Sequence, residues 1–405
     1  MKLKAIAKDV KLLSWLNSKF KSYQLKRDLR ALTLDYNAKA LAKNVVHDAQ
    51  ESVAEFKRRH RRYNPKFSAR NQGDLRVFWI GTSQSQDESG FLQSLRRLCQ
   101  VTEFTNIDGA YGIWSGDSNA SVVPSFDEIR EANAQAILSQ VIRAHEEEGI
   151  DFLLGQMWGR LVPKETLKIV QAMGIPVINI SMDDRLPDLW SYRDGVQLGS
   201  VGLAPVVDMM LTTSPETCTW FSVEGCPSLF WPLASDPNVF SPDSDHLRDI
   251  DVLFIGNKYG VRGKIISYLE SRGLKVDCYG DGWLNGFVNA EQMALLSKRA
   301  RIILGVGTVG HCEDVYTLKL RDFDSLMTGA LYLTHRNPDL CQLFREGEEI
   351  EYYESPAEAY QKIQHYLHKP DERVRVGLNG QRAAIADYTW ERRLTLTFQQ
   401  LGLLS

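Results

Sequence analysis

The residues with the most definite chemical potential are the glycines and cations of Gly256-Asn257-Lys258-Tyr259-Gly260-Val261-Arg262-Gly263. This segment follows a short apolar run, DVLFI, and precedes residues with helical spacing. Glycine lets backbone approach a ligand closely. A helix N-terminus gathers anions through its free N–H groups and its dipole. Lys258 and Arg262 would add charge-assisted hydrogen bonds to a phosphate. A tight strand-to-helix turn with two solvated cations explains the same residues, and spacing alone does not separate the two readings.

A second group is Lys319-Leu320-Arg321-Asp322-Phe323-Asp324, where cations and carboxylates alternate at the start of another helix. A carboxylate at the C-terminal edge of a parallel strand can accept hydrogen bonds from a ribose diol. The competing reading is a set of surface ion pairs, each worth only about 0.3–0.5 kcal/mol. Leu320, Phe323 and Leu326 have the spacing of core residues. Asp183 and Asp184 follow the strand-like VINIS, at the kind of sheet edge where α/β sites lie. Either could take a proton from a hydroxyl as a general base; a helix cap or an ion pair with Arg185 is the alternative. His311, just beyond RIILGVGTVG, is a further candidate base. Trp158 and Trp190 could stack on sugar faces, although core packing accounts for most tryptophans.

Other signatures are missing or incomplete. The chain has no GxxxxGK[ST] loop, no HExxH helix and no GxSxG elbow. Gly-x-Gly-x-x-Gly occurs at Gly305–Gly310, but HCEDVYTLKLRD does not continue it as an apolar-periodic helix. A bound dinucleotide is therefore not expected.

The elements that would position these residues alternate. RVFWIG, VTEFTNI, DFLLGQ, VINIS, DMMLTTS and SLFWPLA read as strands, with helices at about 89–99, 126–148 and 163–173 among them. A second series runs DVLFIG, helix 262–271, LKVDCYG, helix 291–298, RIILGVG, helix 318–329, ALYLT and EEIEYY. Amphipathic helices follow at 356–368 and 371–386, then a terminal helix at 389–404. Strands alternating with helices mean βαβ units and parallel sheets. Residues 1–60 contain no Gly or Pro. There Leu3, Ile6, Val10, Leu13, Leu16, Phe20, Leu25, Leu29, Leu32, Tyr36 and Ala40 recur at helical period, as one long helix or two shorter ones. The expected organisation is a basic helical arm and linker over 1–72, Rossmann-like domains over 73–237 and 238–387, and a closing helix over 388–405.

With 405 residues, 43% apolar and 24% charged, the chain has the composition of a globular protein of two or three domains. No run is apolar enough for a transmembrane helix, and the lysines of MKLKAIAKDVK are unlike a secretory signal. The six cysteines are widely spaced without a CxxC pair, which fits buried, inert thiols in a reducing cytosol. The net charge of −3 hides an asymmetry: residues 1–70 carry 18 Lys+Arg against 6 Asp+Glu, a net of +12, and the remainder nets −15. A basic amphipathic arm suits an anionic membrane surface, a contact with a second copy, or packing across the acidic body of its own chain. It has few aromatics for stacking on bases, and no nucleic-acid partner is expected.

Several of these segments resemble one family. TLKLRDFDSLMTGALYLTHRNPDLCQLFREGEEI is similar to the C-terminal signature of the CgeB-like, spore-maturation-type glycosyltransferases, which are related to group 1. YTWERRL is similar to their closing helix, and DVLFIGNKYGVRGKII to the strand and glycine loop that open their second domain. GIPVINISMDDRLPDLW and DMMLTTSPETCTWFSVEGCPSLFWPLASDPNVF resemble the first half more loosely. The resemblance implies an α/β GT-B fold, two Rossmann-like domains facing across a cleft, with the nucleotide-sugar donor on the second and the acceptor on the first. Carried over, Gly256, Lys258, Gly260, Arg262, Lys319 and Arg321 face the donor diphosphate. Asp324 stands where the family has a ribose-binding glutamate, one methylene shorter. Asp183, Asp184 or His311 supplies the base. The implied activity is metal-independent hexosyl transfer, in the cytoplasm or at the inner face of the membrane, to a cell-surface glycan, lipid or protein. No cofactor is implied beyond the nucleoside-diphosphate sugar as co-substrate. An epimerase acting on a nucleotide sugar, or a non-catalytic binding or assembly protein of the same fold, would share these features.

Overall fold

In the computed structural model the described residues are 2–116, 124–242, 247–310, 312–313 and 315–405, with side chains described from residue 19 onward. Two sheets organise the chain. The first is built from β1 (Leu75–Ile80), β2 (Cys99–Glu103), β3 (Phe152–Gly155) and β4 (Val177–Ser181). A two-stranded hairpin, β5 (Tyr192–Arg193) and β6 (Val196–Gln197), stands apart from it, and β7 (Met209–Thr212) and β8 (Ser228–Phe230) complete it. The order is β2-β1-β3-β4-β7-β8, every pairing is parallel, and the register sets Val77 beside Phe152 and Ile178 beside Met209. The second sheet is β9 (Ile250–Ile255), β10 (Asp277–Tyr279), β11 (Ala300–Leu304), β12 (Leu331–His335) and β13 (Glu351–Tyr353), in the order β10-β9-β11-β12-β13, again all parallel.

These strands form because their residues are β-branched, aromatic or aliphatic in continuous runs, the pattern of a sheet covered on both faces. Val77, Phe78, Trp79, Leu153, Leu154 and Ile178 are all fully buried. In the second sheet Val252, Phe254, Ile302, Leu304 and Leu333 pack with Ile265, Leu269 and Ile363 from the flanking helices. Helix starts follow local chemistry. Ser125 and Glu128 form a reciprocal capping box at the head of helix Phe126–Glu147, and Asn289 and Gln292 do the same for Ala290–Arg299.

The chain divides into two compact units. One comprises Asp35–Asp184, Asp188–Asp236 and Asp387–Ser405; the other comprises Met1–Leu34, Arg185–Pro187 and Pro237–Ala386. The terminal helix Trp390–Leu401 joins the first unit through Trp390, whose ring meets Phe91 at 5.1 Å and Trp231 at 5.5 Å, and through Phe398 against Phe152 at 5.0 Å. Each unit is Rossmann-like, and the fold is α/β with two parallel sheets. The N-terminal segment forms helices Lys2–Ala42 and Ala49–Tyr63. Leu25 and Leu29 of the first helix pack on Val309, Cys312 and Val315 of the second unit, while Tyr36 and Ala40 are buried. The side chains of Leu3, Ile6, Val10, Leu13 and Leu16 lie outside the described residues. No described helix is long and apolar enough to cross a membrane. Five cysteines are buried as free thiols; Cys341 departs from that expectation and is exposed.

Candidate functional site

The C-terminal edge of the second sheet brings most of the expected anion-binding residues together. Strand β9 ends at Ile255 and Gly256 follows with φ 148°. A Cβ at Gly256 would lie 2.3 Å from Nη2 of Arg321 and 3.2 Å from Nη1 of Arg262, so only glycine leaves room for both guanidinium groups. Arg321, in the first turn of helix Leu320–Met327, donates from Nε to the Ile255 carbonyl at 2.6 Å. Arg262 opens helix Arg262–Ser271 and donates from Nη1 to the Asn257 carbonyl at 2.9 Å. Both guanidinium groups lie over the Phe254 ring, at 5.2 Å for Arg321 and 5.8 Å for Arg262, and Arg262 stacks on Tyr259 at 4.0 Å.

The electrostatics of this pair are unusual. Arg262 is buried, and burial first, then the neighbouring Arg321 charge, lower its proton affinity to about 10. Neither arginine forms an ion pair with a carboxylate among the described residues. Nη1 of Arg321 is buried without a hydrogen-bond partner among the described residues. Two like charges held together at low dielectric cost free energy that an anion between them would recover. The loop adds further attraction. Gly260, one residue before the N-cap Val261, has φ 57°, and the first turn of Arg262–Ser271 has no side-chain cap and no acid. Lys258 is exposed on the same loop, its Nζ 4.7 Å above the Trp283 ring.

Two residues that hold this loop are not apparent from local sequence. Trp283 donates from Nε1 to the Gly256 carbonyl at 2.8 Å. Gly280, at φ 123°, approaches so closely that a Cβ would sit 2.6 Å from the Gly256 carbonyl carbon. Both belong to the turn after β10, and only the β9–β10 pairing brings them here.

The segment from Lys319 to Asp324 divides its work. Asp322 is buried: one oxygen accepts from the Lys319 backbone N–H at 2.8 Å and the other from the Tyr332 hydroxyl at 2.5 Å, so it caps the helix. Lys319 is half-buried at the cap position, and Asp324 is 5% exposed on the same helix. At the end of β12 and just beyond it, His335 and Asn337 are buried, and His335 Nδ1 and Asn337 Nδ2 have no hydrogen-bond partner among the described residues. Burial lowers His335 to about 4, so it is neutral. Neither residue has a spacing that would have marked it. The Gly305–Gly310 turn has a structural cause: a Cβ at Gly305 would meet Tyr332 Oη at 2.2 Å and Thr334 Oγ1 at 2.3 Å. His311 lies outside the described residues.

The corresponding edge of the first sheet carries carboxylates instead. Asp184 is fully enclosed, with Oδ1 accepting from Ser181 Oγ at 2.5 Å and Oδ2 from Thr212 Oγ1 at 2.6 Å, while its carbonyl accepts from Trp190 Nε1 at 2.7 Å. Burial raises its pKa to about 6 against the two hydroxyl bonds. Arg185 pairs with Asp339 rather than with Asp184. Asp183 precedes the locked residue with φ 59°, a left-handed conformation that aspartate tolerates, and is half-buried. Asp87, which local sequence did not mark, sits in the loop after β1. Its Oδ2 accepts from the Tyr111 hydroxyl at 2.8 Å, and burial raises its pKa to about 6. Trp190 is buried among Tyr36, Trp220 and Phe221, whereas Trp158 is half-buried beneath the Arg160 guanidinium at 5.3 Å.

Comparison with known proteins bears on this arrangement. The family described as glycosyl transferase-like matches residues 262–399, a span that opens at Arg262 and includes Lys319, Arg321 and Asp324. No curated protein matches the chain significantly in sequence. Among solved structures, sucrose-phosphate synthase from Thermosynechococcus elongatus superposes with a TM-score of 0.56 at 10% identity, covering 80% of this chain and 98% of that one. The Anabaena protein HepE, solved in complex with UDP and glucose, gives 0.55 at 10% identity, covering 80% and 100%. A UDP-N-acetylglucosamine 2-epimerase gives 0.50 at 11%, covering 82% and 97%.

Proposed function

We propose that the protein is a glycosyltransferase that moves a hexosyl group from a nucleoside-diphosphate sugar to a hydroxyl of a glycan, lipid or protein at the cell surface. The observation that carries this reading is the pair Arg262 and Arg321, two adjacent guanidinium groups with no carboxylate ion-pair partner among the described residues, at a glycine loop and a helix N-terminus. The glycosyl transferase-like match over residues 262–399 agrees with it. In this reading the donor diphosphate lies against Gly256, Lys258, Gly260, Arg262 and Arg321, with Lys319 at the adjoining cap, and Asp324 takes the ribose. When the acceptor oxygen bonds to the anomeric carbon, the bond from that carbon to the diphosphate oxygen breaks. Negative charge then grows on the leaving group, where fixed cations and the helix dipole stabilise it most.

The acceptor proton goes to a carboxylate on the first unit. We assign this role to Asp183. Asp184 has both oxygens committed to Ser181 and Thr212 and is enclosed, which suits it to anchoring the turn that presents Asp183. His311 is the alternative proton acceptor. The co-substrate is the only small molecule the reaction needs in this scheme, and a cytoplasmic location supplies it.

The reading is tested by incubating the full chain with a panel of nucleoside-diphosphate sugars, with and without lipid-linked and glycan acceptors. Release of nucleoside diphosphate with transfer or slow hydrolysis of the sugar is expected. Conversion of one nucleotide sugar into another, seen by NMR, would support an epimerase of the kind among the structural neighbours. Nucleotide binding without release under any condition would leave a binding protein.

A further inference from the structure

We infer that the outward face of the N-terminal helix is a docking surface for an anionic lipid bilayer. The orientation of this helix is fixed by its inward face. Ser22 Oγ accepts from the Glu313 backbone N–H at 3.1 Å and lies 3.2 Å from Cys312 Sγ, and Leu25 and Leu29 pack on Val309, Cys312 and Val315. Lys19 is ion-paired to Glu313 on the same side. Residues at the complementary angle around the helix must therefore point away.

That opposite face is apolar along its centre and basic throughout. Phe20, Tyr23 and Leu34 are 64%, 66% and 60% exposed, values at which a large apolar side chain has no cover. Arg27 and Arg30 continue the same stripe, with steps of three and four from Phe20 to Leu34, and Lys26 is exposed beside it. Over residues 19–34 the only acid is Asp28, which is paired with Arg27 at 2.7 Å. Apolar side chains among long cations are what an interfacial helix requires. The rings and the leucine enter the boundary of the acyl chains, while arginine and lysine extend to the phosphates.

The charge also argues against a second copy as the occupant. A two-fold contact brings the same stripe against itself. In an antiparallel pairing that sets Tyr23 against Leu34, Arg27 meets Arg30. In a parallel pairing each arginine meets its own counterpart. Either geometry buries like charges, which a leaflet of anionic headgroups would instead neutralise. The inference is independent of the catalytic reading, because binding is measured without any sugar donor.

The test is flotation of the full chain with vesicles of phosphatidylcholine alone and of phosphatidylcholine mixed with phosphatidylglycerol. The wild type is expected to float with the anionic vesicles and to be released by salt. Arg27→Gln and Arg30→Gln should each weaken partition about five-fold, the equivalent of the ~1 kcal/mol a cation gains near an anionic leaflet. Phe20→Ser with Leu34→Ser should weaken it about ten-fold or more, with helix content by circular dichroism unchanged. Failure of the wild type to bind anionic vesicles, equal binding to both compositions, or binding unchanged in all of these variants would overturn the proposal. So would a fall from dimer to monomer in the serine variant, by light scattering, in a protein that ignores vesicles.

Discussion

The two parallel sheets end in opposite electrostatics. At the edge of the second sheet the buried Arg262 and the half-buried Arg321 lie side by side with no ion pair to a carboxylate among the described residues; at the edge of the first, Asp184 is buried among hydroxyls. Asp184 accepts from both Ser181 and Thr212, and Asp87 from Tyr111. Arg321 Nη1 has no hydrogen-bond partner among the described residues. The same βαβ framework thus offers one edge where both Asp184 oxygens are taken up by neighbouring hydroxyls and one where two guanidinium groups lie together. A satisfied edge contributes to stability, whereas an unsatisfied one reduces it in exchange for binding.

Replacing residues at each edge should expose this difference, and the largest effect is expected at Asp183. If it receives the acceptor proton, Asp183→Asn lowers turnover about 10²–10⁴-fold with nucleotide affinity unchanged, as steady-state rates and calorimetry would show. Equal turnover in the variant would move the search to His311 or to a mechanism without a protein base.

Next comes stability. Asp184→Ala strands the buried Ser181 hydroxyl and should cost about 2 kcal/mol in urea unfolding, while Thr212 retains its contact with Thr217. Arg262→Met on the other edge should leave the unliganded protein at least as stable as wild type, because it removes a buried charge beside Arg321. The same variant should bind nucleoside diphosphate more weakly by about 1.5–3 kcal/mol, the loss of a charge-assisted bond. A stability loss at Arg262 as large as that at Asp184 would contradict the contrast between the edges.

The smallest effects concern pH. Asp87 rises from an ordinary 3.8 to about 6, so between these values the folded protein holds more protons than the unfolded chain, and this contribution to stability falls as pH rises. His335 drops from 6.5 to about 4, so the folded protein holds fewer protons there, and its contribution rises with pH. Asp87→Asn should therefore make the change in unfolding free energy from pH 4.5 to 6.5 more positive than in wild type, and His335→Gln should make it more negative. Matching slopes in the two variants would argue against these burial assignments.

Much of the fold was legible because its signals are local. The apolar runs RVFWI, VINIS, DVLFI and ALYLT each became a strand, and helix Arg262–Ser271 begins and ends where its spacing placed it. The glycine loop could be placed between strand and helix, with Arg262 at the helix start, for the same reason, since strand, loop and helix are contiguous. Trp283 and Gly280 could not, because only strand pairing sets them against Gly256. Asp87 was illegible because its environment comes from Tyr111, a distant residue across a turn. The position of Asp183-Asp184 at the end of β4 was legible, but not the enclosure of Asp184, which depends on Thr212 from the neighbouring strand. The two acids of Asp322-Phe323-Asp324 likewise differ through Tyr332, which claims the first.

The central claim, that Arg262 and Arg321 form the seat of a nucleotide diphosphate, is tested most directly by isothermal titration of the wild type and Arg321→Ala with a uridine diphosphate and a uridine monophosphate. The account predicts that the wild type prefers the diphosphate and that Arg321→Ala loses most of that preference while unfolding at an unchanged denaturant midpoint. A wild type that does not distinguish the two nucleotides, or a variant that distinguishes them as well as wild type does, would contradict it.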